Sequence, residues 1–331
     1  MKTYFIAGGA GFIGSHLVKT LFREEKDIYV IIYDNFSSGR MWHLEELTEN
    51  KNLKIVKADI KEFDVLVKAM KHVDVLYHFA SNPDIAKAVT EPSIDFWEGT
   101  YLTNNIIEAM RINNVKNLLY ASGSGIYGDT DLIEVGEDYS PMLPISTYGA
   151  SKLACESLIC SYCHMLDMSA SIFRFANVVG PHQTHGVGYD FVRYLLRNPA
   201  QLTILGDGTQ SKSYIYIDDI ISAIRLAEKK ALKGFNYYNV ATLDYITVTE
   251  IADIVIEIMG LKDVIYNYTG GKRGWKGDVP VVRLNSEKIR NLDWKNSYTT
   301  KTAIYKSVSS IYEDAKLNKF EWNSEGEKNG L

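Results

Sequence analysis

Apolar residues along the first half of the chain come in strand-length blocks separated by stretches of helical periodicity. Residues 2–7 (Lys-Thr-Tyr-Phe-Ile-Ala) are such a block, and behind a glycine-rich turn Leu17, Val18 and Leu21 recur at helical spacing. The pairing repeats with strand 28–33, strand 53–58, helix 62–71, strand 73–79, a helix over 85–113 interrupted around Pro92, and strand 117–121. A helix beginning near Tyr148 and a strand over 170–175 extend it. Strands alternating with helices predict an α/β fold, a doubly wound parallel sheet with helices on both faces. Beyond residue 176 the pattern loosens into helix 189–197, strand 202–205, an extended stretch 213–217, helix 218–230, strand 237–241, helix 248–260 and a last amphipathic helix over 300–316. The expected organisation is a main domain over 1–176, to which segments from about 212–245 return, a smaller α/β lobe mainly over 177–316, and a flexible tail over 317–331.

Composition narrows the ligand. With 331 residues there is ample apolar content for a core, and a net charge of −5 without any long block of like charge argues against nucleic-acid or membrane-surface partners. A small molecule is expected instead. The longest apolar runs are strand-sized and the first residues lead straight into a strand, so a cytosolic (cytoplasmic) protein is expected. Cys155, Cys160 and Cys163 fall on one predicted helix, suit no disulfide framework and lack a fourth zinc ligand; they read as core or interface residues, and no metal site is expected.

Three glycines, Gly8, Gly11 and Gly14, lie between the first strand and its helix. Glycine there permits a tight turn and lets helix N-terminal amides approach a pyrophosphate. The second strand ends in Asp34, twenty residues past Gly14, where a carboxylate accepts from a ribose 2′-hydroxyl. Asp34 would repel a 2′-phosphate, so NAD is expected over NADP, with Arg40 nearby as the one opposing sign. Asp59 follows another strand and reads equally as a contact to the adenine edge or as a helix cap. Ala80-Ser81-Asn82-Pro83-Asp84 breaks the pattern just past a strand's carboxyl end, where ligands sit in such sheets, and the polar loop 122–128 should face the same cleft.

Tyr148 and Lys152 are four residues apart at the start of a predicted helix, so phenol and ammonium share a face. A neighbouring cation favours the phenolate, and lowering a pKa of about 10 by roughly three units needs about 4 kcal/mol. One exposed pair supplies less than that. A buried setting or a second cation, such as an oxidised nicotinamide, has to contribute.

Taken together, Gly8-x-x-Gly11-x-x-Gly14, Asp34, Asp59-Ile60, His78-Phe79-Ala80, Tyr127-Gly128, Tyr148-x-x-x-Lys152 and Arg174-x-x-Asn177-x-x-Gly180-Pro181 resemble the extended short-chain dehydrogenase/reductases that act on nucleotide-diphosphate sugars, above all the 4-epimerases and dehydratases. The resemblance spans about residues 1–316. It implies a Rossmann fold with NAD held by Gly8, Gly11, Phe12, Ile13, Gly14, Asp34, Asn35, Ser38, Asp59, Ile60, Phe79, Ala80, Ser81, Tyr148, Lys152 and Phe175. Tyr148 is then the base at the sugar hydroxyl, usually that of C4, and Lys152 holds the nicotinamide ribose. The resemblance places the nucleotide-diphosphate sugar near Asn82, Ser124, Asn177, His185, Lys212, Tyr214, Arg273 and Arg283, and implies a homodimer in which the Tyr148 helix packs against its symmetry mate.

Departures from the family pattern are equally informative. Four residues before Tyr127, where the family places a serine or threonine, stands Gly123, with Ser122 and Ser124 on either side as the expected catalytic hydroxyls. Ser124 and Gly125 occupy the places of the acidic pair used for 4,6-dehydration. Phe96 stands where an asparagine is common, and Lys212-Ser213-Tyr214 where Arg-Asp-aromatic is usual, giving a diphosphate a point charge rather than a fork. A 4-epimerase is the expected activity. The alternatives are a 4-dehydrogenase releasing a 4-keto sugar and NADH, for example from a GDP-linked hexose or heptose, and a non-catalytic NAD-binding sensor. His182 and His185 are expected as loop residues contacting substrate or solvent, and Trp275 either stacks on a nucleotide or belongs to an ordinary surface loop.

Overall fold

A computed structural model describes residues 1–82 and 84–320. The first part of the chain runs β1 (Lys2–Ala7), α1 (Phe12–Glu24), β2 (Ile28–Asp34), β3 (Leu53–Lys57), α2 (Phe63–Ala69), β4 (Val75–His78), α3 (Tyr101–Ile112), β5 (Asn117–Gly123), α4 (Thr147–Leu166) and β6 (Ser169–Phe175). There follow β7 (Asn177–Val179), α5 (Val187–Arg197), β8 (Gln201–Ile204), β9 (Ser211–Lys212), β10 (Tyr214–Tyr216), α6 (Ile217–Lys230) and β11 (Phe235–Val240). The chain continues through β12 (Ile246–Thr247), α7 (Val248–Met259), β13 (Ile265–Tyr268), α8 (Glu287–Arg290) and α9 (Thr300–Lys316).

Seven strands make one parallel sheet in the order β11-β6-β5-β4-β1-β2-β3. Tyr4, Phe5, Ile6 and Ala7 of β1 are all fully buried, which explains the unbroken apolar run: the strand has helices over both faces. On one face Leu17, Val18 and Leu21 of α1 share a core with Ile220 and Ile224 of α6; on the other, Leu66, Ile106, Ile107 and Ile159 close a second core. Strand order reverses between β1 and β4, which opens a crevice at the carboxyl ends of the strands.

The lobe after β6 is built from small pairs: β7 with β10, β9 with β12 and β8 with β13. Between them β11 returns to the main sheet, pairing with β6 from Phe235 opposite Ala170 to Val240 opposite Phe175.

Two stretches differ from the expected pattern. The single interrupted helix over 85–113 is instead a 3-10 turn (Ile85–Val89), a π turn (Phe96–Thr100) and α3. Gly99 lies so close to α4 that a Cβ on it would come 2.3 Å from Ser151 Oγ, a close approach that periodicity does not show. The first residues of the expected flexible tail are packed: Phe320 packs edge-on against Tyr189 and Trp42, and Lys319 pairs with Asp314 at 3.1 Å. The rest of that tail, 321–331, lies outside the described residues. Among the described residues no helix is long and apolar enough to cross a membrane.

Candidate active site

A cavity of about 740 Å³ follows the crevice from β2 past α4 to the lobe. Its floor at the β1 end is the glycine turn. Gly8 has φ 81°, a conformation that glycine adopts without strain, and a Cβ on Gly14 would sit 2.2 Å from Gly8 O. Helix α1 therefore begins directly on the turn. It has no side-chain cap and no acidic residue in its first turn, which leaves its N-terminal amides and dipole for an anion.

Asp34 closes this end. Its carboxylate accepts from Ala10 N at 2.9 Å and Phe36 N at 2.8 Å; burial pushes its pKa up, against the pull of these two amides. Asn35 and Ser38 line the cavity beside it, whereas Arg40 turns its guanidinium to Gly39 O and is not a lining residue. The surroundings of Asp34 suit a ribose hydroxyl, not a phosphate. Asp59 lines the cavity too; its side chain accepts from Lys61 N and Asn35 Nδ2, both at 2.9 Å, in the turn that precedes α2, whose N-cap Glu62 makes no side-chain cap bond. Phe12, Ile13, Ile60, Phe79, Ala80, Ser81 and Phe175 complete the lining expected for a dinucleotide.

At the middle of the cleft lies the start of α4, capped by Ser146, whose hydroxyl accepts from Gly149 N at 3.1 Å. Tyr148 lines the cavity in the first turn. Lys152 is 4% exposed; its Nζ donates to Ala121 O at 2.8 Å and lies 5.6 Å from the Tyr148 ring centroid. The cation is thus fixed and buried under the phenol.

The β5 loop separates two serines that are equivalent by spacing alone. Ser122 is buried and also lines the cavity; its hydroxyl donates to Glu156 Oε1 at 2.5 Å, and Glu156 is in turn held by Arg174 at 2.8 Å. The Ser122 hydroxyl is thus engaged by a buried ion-pair network. Ser124, half-buried at the start of a 3-10 turn (Ser124–Tyr127), lines the cavity. Gly123 between them is extended, and a Cβ added there would meet nothing within 4 Å.

Other expected substrate residues divide. Asn177, His185, Lys212 and Tyr214 line the cavity. Burial pushes the His185 pKa down, with Asp84 opposing, and burial pushes that of Tyr214 up. Lys212 is paired with Asp278 at 2.6 Å. Asn82 lines the cavity as well, but its amide nitrogen is taken up by Asp95 Oδ1 at 2.8 Å and Asp84 O at 2.9 Å. Arg273 and Arg283 are not lining residues. Arg273 bonds Asp129 and Asp278 O, while Arg283 donates to Ser211 O at 2.9 Å and lies 3.7 Å from the Tyr245 ring centroid. Both are brackets for loops around the cavity.

His182, half-buried, stacks on His43 with centroids 4.5 Å apart and bonds Ser15 Oγ at 3.2 Å, forming with His16 a cluster behind the glycine turn. Asp95 belongs to no recognisable motif, yet it is 2% exposed and ties Asn82 to Thr147, whose hydroxyl donates to Asp95 Oδ2 at 2.7 Å, one residue ahead of Tyr148.

Comparison with known proteins agrees with this architecture. A family model described as the NAD dependent epimerase/dehydratase family matches residues 4–241. A putative UDP-glucose 4-epimerase of Methanocaldococcus jannaschii is 31% identical over 92% of this chain and 96% of its own length. A human (Homo sapiens) dTDP-D-glucose 4,6-dehydratase is 26% identical over 93% of this chain and 89% of its own. Among solved structures, a UDP-galactose 4-epimerase superposes with a TM-score of 0.84 at 34% identity, covering 94% of this chain and 99% of that one.

Proposed function

Because the chain belongs to the NAD dependent epimerase/dehydratase family, we propose that it is a nucleotide-sugar 4-epimerase acting on a UDP-hexose. The cleft fits NAD: the uncapped start of α1 suits the pyrophosphate, Asp34 a ribose, and Lys152 the nicotinamide end. When bound, NAD supplies the reversible hydride acceptor for oxidation at C4.

The chain's own residues supply the acid–base chemistry. Tyr148 takes the proton of the C4 hydroxyl and returns it when the alcohol is re-formed on the other face. Ser124 donates a hydrogen bond to the C4 oxygen. The observation that carries the reading is the setting of Lys152, 4% exposed, anchored on Ala121 O and 5.6 Å from the Tyr148 ring centroid. A buried cation acts through a low dielectric, so its field on the phenol is far stronger than that of a surface pair. Dehydration is not part of the reading, since Ser124 and Gly125 stand where the family's acidic pair would be.

The test is to incubate the purified protein with UDP-glucose and follow the sugar by NMR together with NADH absorbance. UDP-galactose formed without accumulating NADH supports the epimerase. A second reading, a net 4-dehydrogenase, is favoured by one observation, the open space at Gly123 where the family's hydroxyl is absent; it would show as NADH accumulating with a 4-keto sugar. We further infer a homodimer through α4, which presents Ala150, Ser157, Ser161 and Met165 outward. Sedimentation showing only monomer at micromolar concentration would contradict it.

A further inference from the structure

We propose that Trp275 is the aromatic wall of the nucleobase subsite, against which the flat base of a nucleoside diphosphate stacks at the lobe end of the cleft. The proposal rests on the nucleotide-sugar reading above.

Trp275 lies in the loop between β13 and α8, and the loop is built to hold it. Gly277 has φ 97°, and a Cβ on it would come 3.1 Å from the indole's Cζ3, so glycine is needed both for the turn and for the ring's position. Asp278, 7% exposed, accepts from Gly274 N at 3.0 Å and from Lys212 Nζ at 2.6 Å, and its own amide donates to Trp275 O at 3.1 Å. Arg273 grips Asp278 O from one side and Asp129 from the other. The backbone on both sides of the indole is therefore pinned.

The ring itself is left for a ligand. Trp275 is half-buried and lines the cavity. Trp42, Trp97 and Trp294 each pack on a ring or a cation, whereas no ring or cation packs on Trp275 among the described residues. Lys212 also lines the cavity, its ammonium held by Asp278 of the same loop, and is a point charge suited to a phosphate. An aromatic wall next to an ammonium matches a heteroaromatic base followed by a diphosphate.

The experiment is calorimetric titration of the NAD-loaded protein with UDP, and with GDP, CDP and dTDP, for the wild type, Trp275→Phe and Trp275→Ala. Stacking predicts that Trp275→Ala weakens UDP binding by about tenfold or more, while Trp275→Phe stays within about threefold. The KM for a UDP-hexose should rise with the alanine variant, and the amount of NAD retained should not change. Equal UDP affinity in wild type and Trp275→Ala overturns the proposal, as does a wild type that binds none of the four nucleotides. If UDP binding depends on Trp275 and yet no UDP-hexose is converted, the epimerase reading fails and the subsite stands. If a UDP-hexose is converted and KM is unchanged in Trp275→Ala, the epimerase reading stands and the subsite is overturned.

Discussion

Glu156 accepts the Ser122 hydroxyl at 2.5 Å with Oε1 and the Arg174 guanidinium at 2.8 Å with Oε2, and both ends of this ion pair are 3% exposed. Glu156 is about two helical turns beyond Tyr148 on α4, Ser122 is on β5, and Arg174 is on β6 and also donates to Tyr127 OH at 2.9 Å. One carboxylate thus joins the helix of the base, the strand under the hydroxyl loop and the strand leading to Phe175.

Removing one partner of a buried pair leaves the other unpaired, at a cost of about 3–5 kcal/mol. Glu156→Ala should lose stability of that order in urea unfolding. Glu156→Gln, which keeps the acceptor for Ser122 but not the charge, should lose less. Equal losses would show that the charge accounts for the whole effect and the acceptor for Ser122 for none of it.

Gly123 is extended and a Cβ there meets no neighbour, so Gly123→Ser should fold with the wild-type melting temperature. If Ser124 stands in for the missing hydroxyl, Ser124→Ala should lower kcat by about tenfold, the worth of one hydrogen bond at the reacting oxygen, and Gly123→Ser should restore it. A Ser124→Ala variant as active as wild type would remove Ser124 from the mechanism.

How much of this was legible in the sequence follows from what each feature depends on. The sheet, the glycine turn, Asp34 and the Tyr148–Lys152 pair rest on local periodicity and spacing, and all appear where expected. Ser122 and Ser124, two residues apart, would share a face of a continuing strand; β5 ends at Gly123 and Ser124 opens a 3-10 turn, so the two hydroxyls have different surroundings, and that end point is not visible in the sequence. Arg273 and Arg283, expected near the nucleotide sugar, contact Asp129, Ser211 and Tyr245, partners distant in sequence that spacing does not show. Asp95 and the His43–His182 stack are tertiary in the same sense, and no motif announces them.

The histidine cluster makes an acid-sensitive element. Burial holds the His43 pKa down to about 4 and that of His182 down to about 2, with neighbouring histidines adding to the effect. The folded state favours neutral rings, and the unfolded chain takes up more protons below the ordinary histidine value of about 6.5. Stability is therefore fully present above about pH 6.5 and falls as the pH drops toward 4, by on the order of 3 kcal/mol for His43. Because His43 Nδ1 bonds Ala10 O at 2.7 Å, NAD retention should weaken over the same interval. A His182→Phe variant, which keeps the stack, should show a flatter decline in melting temperature between pH 6.5 and 4; an unchanged slope would count against the cluster as its source.

In the proposed mechanism everything turns on Tyr148, with Lys152 buried beneath it, as the base that opens the reaction at C4. The decisive experiment is single-turnover conversion of a UDP-hexose by NAD-loaded Tyr148→Phe, with cofactor content determined alongside. The variant should retain NAD and lose about a hundredfold or more in rate. A rate within about tenfold of wild type, a smaller loss than removing a general base causes, would contradict the assignment.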